Sequence, residues 1–545
     1  MSTTIGTTSA SPNIPVKTNT GALATLVIVF FFWGFIAASN SIFIPFCRTH
    51  FNLTQFESQL IGSAFYGAYF IGSLLLYLFS SLAGYDILNR IGYKKGIIYG
   101  LLISIVGALA IIPSANANSF PLILVSFFIV ALGFSLQQTA AQPFAIVLGD
   151  PATGSHRLNF AGGVNSLGTT LGPLIISFFL FGRVGEESAE VSVTNINKLY
   201  LIVAAVFLAV AIFFALSKKL PHGKNDAAFE GSAKASISLI GLTALIGVVI
   251  TVGQLTSISE LPLLVVAIVG IIGILLYSNG RALKNPEGWG AMRYPQLIYG
   301  MIGIFVYVGV EVTIDNNFGA LLKTPGYITD AGMLDSEISK YVSLYWGSLM
   351  IGRWTGAISV FNLSKRNRII ATVIVPFIAF AIILAVNNIH GSDVSDLYAY
   401  AGVIAIAILA FFYGQEKPVK TLLTLTLLGT LFMLIGVFTN GIVSVYAFMA
   451  GGLCNSIMWP CIFSLAVAGL GKYTSQGSAF LIMMILGGAV IPPFQGSLGD
   501  IPSIGMHQSY LVAAGCFIVL ALLTLKLKRV LQSQGLDFDK QIGGH

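Results

Sequence analysis

Sixteen apolar runs, each close to the length of a membrane-crossing helix, alternate with short polar turns along the 545 residues. They lie near 23–46, 58–83, 96–114, 119–148, 160–181, 199–217, 236–254, 261–280, 297–321, 341–361, 368–387, 398–415, 421–439, 442–470, 477–497 and 508–526. About 30 Å of hydrocarbon takes roughly 20 helical residues. In lipid a helix pairs all its own backbone groups, so helices are the natural form for such runs. The pattern predicts an all-α membrane protein with about 16 transmembrane helices. Charged residues make up only 9% of the chain, against about 25% in a soluble domain.

A net charge of +7 would suit a nucleic-acid partner, but the placement of the basic residues excludes it. With the N-terminus cytoplasmic and the helices alternating, the outer loops hold Arg48, Arg183, Lys198, Lys323 and Lys340, and Arg353 lies inside a run. The other lysines and arginines, among them Arg90, Lys94, Lys95, Lys365, Arg366 and Arg368, fall in cytoplasmic segments. That asymmetry fixes the orientation, with both termini on the cytoplasmic side of a bacterial inner membrane. Cys47, Cys454, Cys461 and Cys516 have no paired spacing and read as small hydrophobes, so neither a disulfide framework nor a metal site is expected. The first 20 residues are polar and the first apolar run is long enough to span, so no cleavable signal is expected.

Weak internal symmetry divides the chain. A basic turn, GYDILNRIGYKK at 84–95, follows the second helix, and GRWTGAISVFNLSKRNR at 352–368 follows the second helix of a later half. Two repeated halves suit a transporter of two bundles. The expected division is a six-helix bundle at 1–217, linkers with an extra helix pair at 218–296, a second bundle at 297–530 and a tail at 531–545. A second extra pair is expected within 388–440.

Glu311 and Asp315 lie i, i+4 in an otherwise apolar run and share a helix face. A carboxylate at mid-bilayer costs roughly 2.5–3.5 kcal/mol on insertion scales, so such residues line cavities, pair with a partner or handle ions. Two carboxylates about 6 Å apart share a proton or chelate a hard cation. They are expected to couple transport to a proton or to sodium, with no other cofactor. The bland alternative is an ion pair with Arg353 that only locks helices together. Neutral polar groups in other runs supply a site for a small polyol: Asn40, Gln138, Gln142, Asn165, Asn317, Asn455 and Trp459. Amides donate and accept, and an aromatic plate suits the C–H face of a sugar. Gln137 points about 100° away from Gln138. Interhelical hydrogen bonds, worth about 0.6 kcal/mol each, are the bland reading of these amides.

FFFWGF at 30–35, SAFYGAYFIGS at 63–73, QTAAQPFAIVLG at 138–149, HRLNFAGGVNSLG at 156–168, IGRWTG at 351–356 and ILGGAVIPPFQGSLGD at 485–500 resemble the fucose–proton symporter family of the major facilitator superfamily. The resemblance covers twelve of the sixteen helices and implies a two-bundle, alternating-access sugar transporter, in which Asp86 and Arg90, with Arg353 in the later half, are candidates for gating at the cytoplasmic end; the bland reading is charge that only sets the topology. The chain departs from the fucose pattern where Ser41 and Gln138 replace two proton-handling carboxylates, and where Trp459 replaces a sugar-contacting Tyr. Gln138 and Glu311 are closer to the glucose/galactose branch, while Asp315 matches neither. The expected function is cation-coupled import of a hexose or deoxyhexose by a monomer. An uncoupled facilitator and, more distantly, a membrane sugar sensor remain as alternatives. A membrane enzyme is not expected, since no nucleophile–base set sits at matched depth.

Overall fold

The computed structural model describes residues 18–53, 55–150, 153–181, 192–223, 232–256, 258–333, 335–361, 363–414 and 417–536. All sixteen apolar runs are helical. In chain order they are α1 (Thr20–His50), α2 (Gln55–Ala83), α3 (Tyr93–Asn116), α4 (Phe120–Val147), α5 (Gly154–Phe181), α6 (Val193–Leu216), α7 (Ala233–Leu255) and α8 (Glu260–Lys284). Next along the chain are α9 (Pro295–Leu322), α10 (Asp335–Ala357), α11 (Lys365–Ile389), α12 (Ser395–Gly414), α13 (Pro418–Phe438), α14 (Gly441–Val467), α15 (Gly471–Gly499) and α16 (Gly505–Ser533). Among the described residues thirteen of these segments are long and apolar enough to cross a membrane, fewer than the sixteen expected. In α1 the described apolar stretch is the shorter Thr20–Ile36, and α10 carries too many polar residues to pass.

Local chemistry sets the ends. Pro295 and Pro418 open α9 and α13, where a missing N–H costs nothing. Ser192 and Ser364 cap α6 and α11 by accepting from Asn195 N and Asn367 N. α14 is broken at Ser456–Ile457, just before Pro460, which cannot donate to the helix ladder.

Packing repeats between the halves. In the first bundle α1 lies on α5, α2 on α4, and α3 on both α4 and α6. In the second, α9 lies on α15, α10 on α14, and α13 on both α14 and α16. The tightest approaches use glycine. A β-carbon on Gly34 of α1 would sit 1.9 Å from the Asn165 carbonyl oxygen, and one on Gly487 of α15 would sit 1.8 Å from that of Phe305. Such contact is open only to a residue without a side chain. α9 is 94% buried over its apolar window, whereas α7 and α8 are 17% and 22% buried. The interior of the second bundle is therefore built around α9, and the α7–α8 pair lies on the periphery. α11 and α12 have no counterpart in the first bundle by this pattern.

The bundles are joined at the end that carries the basic turns. The Trp354 indole donates to the Gly163 carbonyl at 3.1 Å, and Ser478 donates to that of Thr139 at 2.8 Å. Asn89 donates to the Lys472 carbonyl at 3.1 Å, and Ser475 donates to the Asp86 carboxylate.

Candidate functional site

Because α9 is enclosed, its two carboxylates face protein instead of lipid. Glu311 is buried, and Tyr307, one turn earlier, donates to its Oε1 at 2.8 Å. The Arg353 guanidinium of α10 reaches the same oxygen at 3.5 Å. Arg353 also donates through Nη1 to Ser166 Oγ of the first bundle at 2.9 Å, and through Nε to the Ser456 carbonyl, at the break of α14, at 3.2 Å. One cation thus touches the acid, the opposite bundle and the discontinuous helix. The helix-locking pair weighed from the sequence is present, and it lies at the bundle boundary.

Asp315, one turn beyond Glu311, sits beside the Trp346 indole, and its buried Oδ1 has no hydrogen-bond partner among the described residues. Asn455 and Trp459 flank the break in α14. Asn455 Nδ2 donates to the Tyr345 hydroxyl at 3.4 Å, and that hydroxyl donates to the Glu311 carbonyl at 2.6 Å. Asn455 Oδ1 and Trp459 Nε1 are likewise buried without a partner among the described residues. The Trp459 ring lies 6.3 Å from that of Tyr307 and stacks on Phe463 at 5.9 Å. An unpaired buried polar group costs about 1–3 kcal/mol. Two acceptors, on Asp315 and Asn455, and one indole donor, on Trp459, are therefore left unsatisfied among the described residues.

The other expected residues divide. Gln138 donates to the Tyr69 hydroxyl at 2.8 Å, and Gln142 is buried one turn further along α4. Asn165 donates to the Phe30 carbonyl at 2.9 Å, tying α5 to α1. Asn317 donates to the Thr313 carbonyl at 3.1 Å and the Pro492 carbonyl at 3.4 Å, tying α9 to α15. The geometry of these two matches interhelical ties better than ligand contacts. Gln137 is also a tie, between Trp33 at 2.7 Å and Ser104 at 3.1 Å. The side chain of Asn40 lies outside the described residues.

At the end that carries the basic turns Asp86 caps a short helix, Ile87–Ile91, and accepts from Ser475 across the bundle boundary. Burial pushes its carboxyl above the ordinary range, with the Ser475 bond acting the other way. Arg90, expected beside it as a latch, stacks on Tyr85 at 4.3 Å within its own turn. Asn89 makes the cross-bundle bond instead. Sequence reading passed over Tyr307, whose hydroxyl donates to the Glu311 carboxylate, Tyr345, whose hydroxyl donates to the Glu311 carbonyl, and Tyr69, whose hydroxyl accepts from Gln138. The signal was available: Tyr307 and Glu311 are i, i+4, and a buried tyrosine hydroxyl seeks a partner.

Two helical bundles packed around a buried polar centre define a membrane transporter fold. The chain belongs to the Major Facilitator Superfamily, whose model matches residues 25–419. It is 30% identical over 521 residues to the glucose/galactose transporter of Brucella abortus (strain 9-941), covering 94% of this chain and 97% of that one. It is 24% identical over 516 residues to the L-fucose-proton symporter of Escherichia coli K12, covering 91% of each. Among solved structures, the E. coli fucose:proton symporter FucP matches with a TM-score of 0.62 at 22% identity, over 94% of this chain and 99% of that one.

Proposed function

We propose that this protein imports a neutral hexose or deoxyhexose together with a proton, by alternating access. It would act in a bacterial cytoplasmic membrane with both termini inside. The relatives named for glucose/galactose and for fucose–proton transport support the substrate class. The basic cytoplasmic turns support the orientation.

One observation carries the choice of proton. Glu311 is surrounded by donors, the Tyr307 hydroxyl and the Arg353 guanidinium. A sodium ion placed there would meet a fixed cation, whereas a proton needs only the carboxylate. Protonation removes the attraction to Arg353 and leaves the Tyr307 contact intact. Arg353 then leans on its remaining partners, Ser166 and the Ser456 carbonyl. The second of these lies next to Asn455 and within a turn of Trp459, so loading the acid re-aims the groups proposed to hold sugar. Asp315, Asn455 and Trp459 contribute the polar contacts, and Gln138 and Gln142 extend the site from the first bundle. An ionised, unpaired Glu311 resists enclosure, so the loaded or empty carrier rocks and the half-loaded one does not.

We infer also that the second inserted pair is α11–α12, 365–414, shifted from the 388–440 span. The support is that α13, not α11, repeats the packing of α3. The pair would leave and re-enter the cytoplasmic side, so α13 to α16 keep their orientation.

The test is uptake of labelled glucose, galactose and fucose into proteoliposomes under an imposed pH gradient or sodium gradient. Accumulation driven by pH alone is expected. The uncoupled facilitator is the second reading, favoured by the Glu311–Arg353 pair itself. Equilibration without accumulation, unchanged in Glu311→Gln, would decide for it.

A further inference from the structure

The inserted α7–α8 pair is peripheral along its length, but its root is not. α8 lies on α9 and α15, so the pair belongs mechanically to the second bundle. The root is stitched in place there. The Lys234 N–H donates to the Gly288 carbonyl at 3.0 Å, which joins the two ends of the insertion. Ser278 donates to Ser238 Oγ at 2.9 Å between its helices, and Asn279 donates to the Tyr299 hydroxyl of α9 at 3.5 Å. Gln476, near the start of α15, completes the fastening. Its Oε1 accepts from Ala291 N at 2.5 Å, and its Nε2 donates to Ser232 Oγ at 3.2 Å.

Tyr77 of α2, in the first bundle, meets this root. Its hydroxyl lies 3.0 Å from the Ser232 carbonyl oxygen, 2.8 Å from Ser232 Oγ and 3.0 Å from Ser236 Oγ. A phenol has one proton to give and lone pairs to receive. Donation to the carbonyl and acceptance from the two serines therefore use its full capacity. Tyr77 and Ser232 are both buried, so water does not compete for these bonds. The Tyr77 ring also meets Phe480 of α15 edge-on at 4.8 Å. The turn that ends the insertion is shaped for the same contact. Gly290 has a φ of 51°, and a β-carbon there would lie 2.5 Å from Gln476 Oε1 and 2.8 Å from Ser232 Cβ. Glycine alone lets the turn close this tightly on both. We propose that the inserted pair is a clasp at the end that carries the basic turns: it travels with the second bundle and grips the first through Tyr77.

The clasp differs in kind from the seam bonds between the bundles. Those run directly from one repeated half to the other, whereas Tyr77 is held by a segment outside both. Rocking that opens this end carries α2 away from α15. Tyr77 then loses all three contacts together, while Gln476, Ser232 and Ala291 stay with one another on the second bundle. Contacts made in one arrangement only favour that arrangement. The insertion therefore makes opening at this end rarer and the closed arrangement longer-lived. This consequence rests on the alternating-access reading above.

The rate at which N-ethylmaleimide alkylates Ala479→Cys reads the opening directly, in purified full-length protein in nanodiscs with no sugar and no ion gradient. Ala479 is 2% exposed and borders a small space lined from the first bundle by Leu76, Ser80 and Leu88. Protein without this substitution gives the background of the native thiols Cys47, Cys454, Cys461 and Cys516. Tyr77→Phe keeps the ring beside Phe480 and deletes the hydroxyl, and alkylation should run at least fivefold faster. Ser232→Ala/Ser236→Ala removes two of the three partners from the side of the insertion and should speed the reaction at least twofold. Added to Tyr77→Phe, it should change the rate by less than twofold, since the hydroxyl it serves is already gone. Circular dichroism checks folding, and the serine pair, which leaves every ring in place, decides if Tyr77→Phe does not fold. Reaction that neither variant accelerates overturns the clasp alone, as do accelerations that multiply when the variants are combined. No reaction at Ala479→Cys in any variant overturns the clasp and the alternating-access reading together.

Discussion

Glu311 and Arg353 meet at 3.5 Å across α9 and α10, and the same guanidinium reaches Ser166 of the opposite bundle at 2.9 Å. An acid paired in this way is tied to the relative position of the bundles as well as to its own helix. In the proposed mechanism this contact links its charge to the carrier's conformation.

Glu311→Gln keeps the shape and can still accept from Tyr307, but it cannot be ionised. Accumulation driven by a pH gradient should fall at least tenfold, while exchange of labelled for unlabelled sugar continues. Parallel uptake and counterflow assays on the same vesicles separate the two. Accumulation at the parent level in this variant would remove the proton-coupling role.

Trp459→Phe preserves the ring and deletes the indole donor. A lost hydrogen bond to a bound hydroxyl costs on the order of 1 kcal/mol, roughly fivefold in Kd. Sugar affinity should fall by at least that factor with little change in thermal stability, since the indole N–H has no partner among the described residues. Isothermal titration with each hexose reads the change. An unchanged Kd would place Trp459 outside the sugar site.

Gly34→Ala and Gly487→Ala test the packing repeat. Each adds a methyl into a carbonyl oxygen of the facing helix, at 1.9 Å and 1.8 Å. Overpacking of this kind costs about 1–3 kcal/mol. Both variants should show a lower Tm in detergent, and both should do so to a similar degree. A normal Tm in either would mean that the helix pairs are not this close.

Asp86 gives the closure at the basic-turn end a pH dependence. Burial disfavours its ionised form in the closed state, so its carboxyl titrates above the ordinary value of 3.8. The sign comes from linkage: the contribution to closure is complete below that value and is lost as pH rises through the raised one. Asp86→Asn keeps an N-capping side chain and removes the ionisation. Across the carboxylate range the parent's Tm should decline with rising pH more steeply than the variant's. Identical pH profiles would show that the Ser475–Asp86 contact does not sense protonation.

Much of this fold was legible in the sequence because the bilayer enforces it. Every apolar run proved helical, since a lipid-exposed backbone has no other way to pair its polar groups. The buried acids stood out for the same reason. The limits appeared where information lies between helices. Nothing in the chain order distinguishes Asn455, with an unpaired oxygen, from Asn165, whose amide is spent on the Phe30 carbonyl. Arg90 and Asn89 are neighbours in one turn, and only the three-dimensional path of that turn sends Asn89 across the boundary. Which hairpin is the insertion likewise depends on what each helix touches.

Most of the bonds that close the basic-turn end share a trait with a longer reach. Three of them, from Trp354, Ser478 and Asn89, terminate on main-chain oxygens. An acceptor that belongs to the peptide group survives every point mutation at its own position, so sequence drift can erode this seam only from the donor side. Water can take over each oxygen as a donor withdraws. The seam can consequently part stepwise, like a zip fastener, and a lineage can retune how readily it parts by trading single donors while the chain trace stays as it is.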